Sequence, residues 1–381
     1  MQFLCIWCRM WRAHRNARSL PCGSATRLGN RSAACPRSLG DAALDLGERR
    51  WRGEVADLFP PSSECASESA RESFCYPTER LFRLGSVSLM FFRYPADRLH
   101  VFLFTLLFAV DVTVYLTVDS PYWLALYFLL GIVPKAGTCA FNHHHQHVLT
   151  FHQTWLNRLL EIMYALQTGV TANAWKLHHS LGHHVNYLDQ KKDESRWQRD
   201  DGSTMAEFEY ANWTTLTAYL RAWNVGASYK KDRRVFLVMG IVTVALVAAL
   251  VFYRPLPGLF VFVIAPLFSL WGTAWATYAH HANRSVDSHF VACNNVVHRV
   301  YNFWTGNLGF HTAHHYKPGV HWSKLPELHA QIADKIPDDA YVEPGLPWRW
   351  LGKSWFPART AATAEVSDAE LTTPPAANQT A

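Results

Sequence analysis

Four apolar runs, set in two close pairs, decide most of what this chain can fold into. Val101–Val118 is a run of 18 residues interrupted by Asp111, and Pro121–Phe141 carries Lys135 late in its length. Val235–Tyr253 is 19 residues and Pro257–Ala279 is 23. At about 1.5 Å per helical residue, each can cross about 30 Å of hydrocarbon. A buried helix of a soluble protein is the competing reading. It is weakest for Val235–Tyr253, which has no polar face, and strongest for the second run, which Pro134 and Lys135 shorten. Only 17% of the 381 residues are charged, against 14% aromatic, which also argues against a purely soluble or a disordered chain.

The links within the pairs are Asp119–Ser120 and Arg254–Pro255–Leu256, so the spans form two hairpins. The polar block 142–234 and the block after 280 must then share one side. Lys176, Lys191, Lys192, Arg196, Arg199, Arg221, Lys230, Lys231, Arg233 and Arg234 lie in the first block, while the short turns hold one Arg. The positive-inside rule puts both blocks in the cytoplasm. The expected fold class is all-α integral membrane: four transmembrane helices as two hairpins, under a cytoplasmic helical cap. Within the cap, Trp155–Val170 has apolar residues at helical spacing, with Asn157, Arg158 and Glu161 set apart. It reads as a helix in the membrane interface or as a helix of the cap's core.

The ends read differently. Residues 1–89 hold 13 Arg, no Lys and six of the eight Cys, and only Cys5 and Cys8 stand in C-x-x-C spacing. Ser and Arg suit a transit peptide, but the acidic residues from Asp41 onward do not. The expectation is a disordered or spurious extension, with translation starting at Met90 directly before the first span. Pro357–Ala381, rich in Ala, Thr and Pro, reads as a disordered tail.

Chemistry is signalled by histidine. Of 20 His, 19 follow Arg15, and most are clustered. His143, His144, His145 and His147 leave the second span. KLHHSLGHHVN brings His178, His179, His183 and His184. His280 and His281 end the fourth span, and NLGFHTAHH brings His311, His314 and His315. Spacings of three and four place pairs on one helix face, and every cluster emerges on the side assigned to the cytoplasm. Imidazole binds first-row metals while neutral near pH 7. The nine best positions exceed what one ion takes, whereas two ions with four or five imidazoles each would use them. That count favours an oxygen-activating iron pair over a hydrolytic zinc. Ligand arithmetic alone leaves copper and manganese open. Isolated His14, His100, His289, His298, His321 and His329 read as ordinary structural residues, and His144, His145, His152 and His178 as bystanders.

FNHHHQH, HHSLGHH and HTAHH resemble the three histidine boxes of the membrane fatty acid desaturase superfamily, and GNLGFHTAHHYKPGVHWSKLP around the last box is similar too. The resemblance spans about Met90–Trp350 and implies a desaturase domain over 90–356. It also implies a non-haem di-iron centre using O2, held by His143, His147, His179, His183, His184, His311, His314 and His315, with His280 or His281 (His281 preferred) as the ninth ligand. The second box departs from the common H-x-x-H-H spacing, so His178 competes with His179. Asn142, Asn186, Asp189 and Asn307 are candidates to orient the imidazoles.

The implied activity is O2-dependent desaturation of a fatty acyl chain. Abstracting hydrogen from an unactivated methylene requires a metal oxidant rather than a side-chain nucleophile. The sequence shows no H-P-G-G haem segment, no iron–sulfur Cys set and no G-x-G-x-x-G. An external ferredoxin or cytochrome with its reductase is therefore the expected electron donor, docking on the cations of 191–199 and 230–234. The acyl substrate would be linked to a lipid, CoA or carrier protein. Nucleic acid is not an expected partner. Multi-pass insertion with cytoplasmic boxes implies the plasma membrane in a bacterial cell. The alternatives are a hydroxylase or ketolase of the same superfamily, acting on a carotenoid, sterol or alkane, and a membrane metal transporter.

Overall fold

A computed structural model describes residues 91–352 and 354. The expectations for residues 1–89, the start at Met90 and the tail 357–381 fall outside these described residues. Among them the architecture is helical, with isolated bridges but no β-strand.

Four helices are long and apolar enough to cross a membrane: α1 (Asp97–Thr117), α2 (Pro121–His147), α5 (Lys230–Tyr253) and α6 (Pro255–His281). Each outruns the apolar run that predicts it at one end or both. Polar residues do not stop a helix once they lie beyond the apolar stretch, so α2 continues through the first histidine cluster and α6 through the fourth-span pair. The outward surface of α5 is apolar, with Leu237, Val238, Ile241 and Val244 all exposed. A row of this kind is costly in water and suited to hydrocarbon. In α6, a π-helical turn at Phe260–Ile264 interrupts the α-helical ladder.

Polar contacts sit inside the bundle. Asp111 and Lys135, read from sequence as interruptions, are partners. Lys135 Nζ lies 2.8 Å from both Asp111 carboxylate oxygens, and both side chains are buried. Tyr127 donates to the same carboxylate at 2.6 Å. Ions in a low-dielectric span persist when paired and hydrogen-bonded, so these residues tie α1 to α2 without breaking either. At the turn end, Arg254 donates to the Tyr115 carbonyl and to Asp119, joining the two hairpins.

Four shorter α-helices form the cap: α3 (Thr154–Thr168), α4 (Glu207–Val225), α7 (Arg299–Thr305) and α8 (His311–Tyr316). Helix α9 (Leu325–Ile332) packs behind α8 through Leu325, Leu328 and Ile332. In α3 the polar residues Asn157, Glu161 and Gln167 face inward, while Trp155 and Leu159 are exposed. Leu160, Tyr164 and Leu166 of the same helix are buried in hydrophobic clusters, so most of α3 packs into the protein and only its Trp155–Leu159 edge is open. Segment α7 is pinned to α2 where Trp304 donates to the Val133 carbonyl at 3.0 Å, just before Pro134.

Candidate metal centre

Each box reaches the centre by its own local geometry. On the last turn of α2, His143 and His147 are four apart and share a face, with ring centroids 4.9 Å apart. His144 and His145 point elsewhere. His144 Nε2 meets the Thr305 carbonyl at 3.0 Å, and His145 sits between Thr150 and Glu161.

The second box is not α-helical. Lys176–His183 is a π-helix, and the His184 amide donates to the His179 carbonyl at 2.8 Å, five residues back. The wider turn puts His179 and His184 on one face, their Nε2 atoms 2.9 Å apart. The α-helical spacing read from sequence had paired His179 with His183. The extra residue per turn instead sends His183 toward His281, with Nε2 atoms 3.2 Å apart. His178 lies under Trp175, ring centroids 5.9 Å apart.

At the end of α6 the two histidines separate. His280 has both nitrogens engaged, with the Asn294 carbonyl and the Tyr301 hydroxyl each at 3.1 Å. His281 turns Nε2 to His183 and to His311, the latter at 3.0 Å. The third box, on α8, supplies His314 to one side and His311 and His315 to the other. His314 Nε2 is 2.9 Å from His143 and 3.1 Å from His184.

Two sets result. His143, His147, His179, His184 and His314 have ligand atoms all within 4.8 Å of one another, as do His281, His311, His315 and Cys293. The sets adjoin: His184 stacks on His315 with centroids 4.0 Å apart. Cys293, which sequence reasoning passed over, is buried with Sγ 3.8 Å from His281 Nδ1, and burial pushes its thiol well above the ordinary 9.0.

The donor chemistry fits transition-metal cations. A neutral imidazole carries one proton. His183 Nδ1 lies 2.7 Å from Asp193 Oδ1, which only accepts, so its proton is on Nδ1. His281 Nδ1 faces the Ala292 carbonyl at 3.2 Å, which fixes its proton in the same way. Both Nε2 atoms are then bare lone pairs, facing each other at 3.2 Å with no hydrogen between them. A cation held by both would resolve that repulsion. His147 Nε2 and both nitrogens of His315 are buried without a hydrogen-bond partner.

Burial, and next the neighbouring imidazoles, hold His179, His184, His314 and His315 well below their ordinary 6.5. They stay neutral and ready to ligate. The unfolded chain therefore binds more protons than the fold below about pH 6.5. The chelator-stripped protein should lose stability as pH falls through that value and keep losing it until the lowered pKa values are passed. Thermal melts in detergent across this range test it, and a midpoint that stays flat into acid would contradict it.

The amides and carboxylate expected to orient the imidazoles are engaged elsewhere. Asn142 donates to Thr168 and the Val170 carbonyl, Asn186 to the Gly182 carbonyl, and Asn307 to the Trp322 carbonyl. Asp189 is paired with Lys192 at 2.8 Å on the surface. The orienting carboxylate is Asp193, four residues on: it is buried and also accepts from the Ser195 amide at 2.7 Å. Nothing in the sequence separates Asp189 from Asp193, because the choice depends on how the loop folds back. Asp193→Asn keeps the shape and removes the charge that fixes the His183 tautomer. Metal affinity is expected to fall about 10–100-fold, measured by chelator competition; unchanged affinity would exclude this role.

The family model described as fatty acid desaturase matches residues 120–346, well over half of the chain. The chain belongs to the fatty acid desaturase family. No curated protein and no solved structure matches it. The family match takes in all three histidine boxes, the π-helix and three of the four long helices of this desaturase-family chain; α1 lies before it. The family match suggests an oxidoreductase of the desaturase and hydroxylase superfamily, and the donor set is compatible with metal binding.

Proposed function

We propose that the protein is a multi-pass membrane desaturase that uses O2 to insert a double bond into a fatty acyl chain at an iron pair. The observation that carries this reading is the pair of adjoining imidazole sets at one end of both hairpins. His143, His147, His179, His184 and His314 would hold one iron, and His281, His311 and His315 of the second set the other, joined by His183, whose Nε2 lies 3.2 Å from that of His281. Bound there, the irons supply the oxygen chemistry that no side chain here can perform on a methylene.

The chain's own residues hold and enclose. Asp193 and the Ala292 carbonyl keep the protons of His183 and His281 on Nδ1, so both rings present lone pairs. Trp175, Tyr187, Ala292 and Cys293, all buried, keep water from the rings. Placing the boxes on the cytoplasmic side follows from the cations of 176–234. Electrons would come from a separate ferredoxin or cytochrome.

The test is fatty acid profiling of a desaturase-deficient host expressing residues 90–381, with iron quantified in the purified protein. New unsaturated acyl chains are expected. Oxygenated products alone would replace this reading with a hydroxylase or ketolase. Metal flux with no lipid product would replace it with a transporter, although the imidazoles sit at span ends rather than mid-span.

A further inference from the structure

Tyr187 follows the second box by three residues and has no role in the scheme above beyond excluding water. It is 3% exposed. Its ring packs on His315 with centroids 4.4 Å apart, and lies 6.0 Å from His183 and 6.2 Å from His281. Its hydroxyl is 2.5 Å from His289 Nδ1. His289 stands on the loop between α6 and α7 and is exposed. Read from sequence, His289 is a structural residue. The fold makes it the outer end of a two-residue path from the second imidazole set to solvent.

Packing alone does not account for this pair. A phenylalanine would fill the same volume without burying a hydroxyl, and a buried hydroxyl costs free energy unless it is bonded. Here the bond is short and runs to the one side chain class that takes up and passes on a proton near neutral pH. Phenols lose an electron far more readily when the proton leaves at the same moment to a base already in place. The base in this structure reaches water, so the proton has an exit.

We infer that Tyr187 and His289 form a redox relay that drains oxidising equivalents from the metal centre to the protein surface. This rests on the iron reading above. In the forward step the Tyr187 O–H bond breaks. One electron would go to the metal centre, which would be the oxidant once iron and O2 are bound there, and the proton would go to His289 Nδ1. The phenoxyl radical is later reduced by a one-electron carrier at the surface, and His289 returns the proton, restoring Tyr187 O–H. Each round removes one oxidising equivalent when no acyl chain is present to consume it. The oxidisable rings of the boxes and Trp175 are spared.

The experiment uses the full chain in detergent, loaded with iron, then given reductant and O2 without acyl substrate. Electron paramagnetic resonance should show an organic radical, narrowed in protein grown on ring-deuterated tyrosine. Tyr187→Phe should bring that signal to background at unchanged iron content, and peptide mass spectrometry should then find more oxygen added to box histidines. His289→Ala, at an exposed position, should cut the signal several-fold and keep the iron. Iron-loaded wild type without a radical, or a signal unchanged in Tyr187→Phe, overturns the relay and leaves the iron reading standing. A wild-type chain that takes up no iron overturns both.

Discussion

His314→Ala is expected to abolish product formation and to remove about half of the bound iron. His314 Nε2 lies within 3.1 Å of both His143 and His184, so its ring joins the α2 and π-helix contributions to the first set. Loss of a residue that merely orients a ligand costs about 10–100-fold in affinity or activity; loss of a ligand that joins two boxes should exceed the upper figure. The second set shares no nitrogen contact with His314 among these bonds, so its iron should stay. Elemental analysis and product formation on the same preparation measure both effects. The matched control is His329→Ala. That ring is equally buried, and Tyr341 is its hydrogen-bond partner at 3.2 Å. It should cost stability but no iron. If His314→Ala kept its iron and its product, the first set would not be a metal site.

What the sequence makes legible follows from what determines each feature. Helix α5 is readable because an unbroken apolar run admits one solution. The box residues are readable because imidazoles clustered at three separate places have few other uses. The division between the sets is not. It depends on a π-helix at Lys176–His183, and the letters KLHHSLGHH fit α spacing equally well. Only the backbone shows that His184, rather than His183, sides with His179. Asp111 and Lys135 illustrate the same limit: each alone looks like a flaw in a span, and their pairing appears only once α1 and α2 lie together. In α3 the helical spacing is legible in sequence, but the burial of Glu161 together with Leu160 and Tyr164 is not, because it depends on His145 and Arg158 meeting that carboxylate.

Gly309→Ala is expected to undo the third box as a unit. A Cβ at Gly309 would stand 2.1 Å from the Val296 carbonyl oxygen and 2.5 Å from Asn302 Oδ1. Neither can swing aside freely. The Val296 amide donates to the Gly309 carbonyl at 2.8 Å, and Asn302 Oδ1 accepts from the Gly309 amide at 3.0 Å. Relief therefore requires moving backbone, and that backbone positions α8. Asn295, next to Val296, holds the first turn of α8 by accepting from the Thr312 amide at 3.0 Å and donating to Thr312 Oγ1 at 2.8 Å. Displacing it displaces His311, His314 and His315, which serve both sets. Overpacking a side-chain contact costs about 1–3 kcal/mol; a clash with a carbonyl on this scale should cost at least the upper end. Thermal melts in detergent should show a large drop, with iron lost from both positions rather than one. Gly319→Ala, where an added Cβ meets nothing within 4 Å, should leave the melt and the iron unchanged. Because Gly309 touches no ligand itself, a Gly309→Ala protein that melts normally and holds its full iron would mean that α8 is not positioned through Val296 and Asn295.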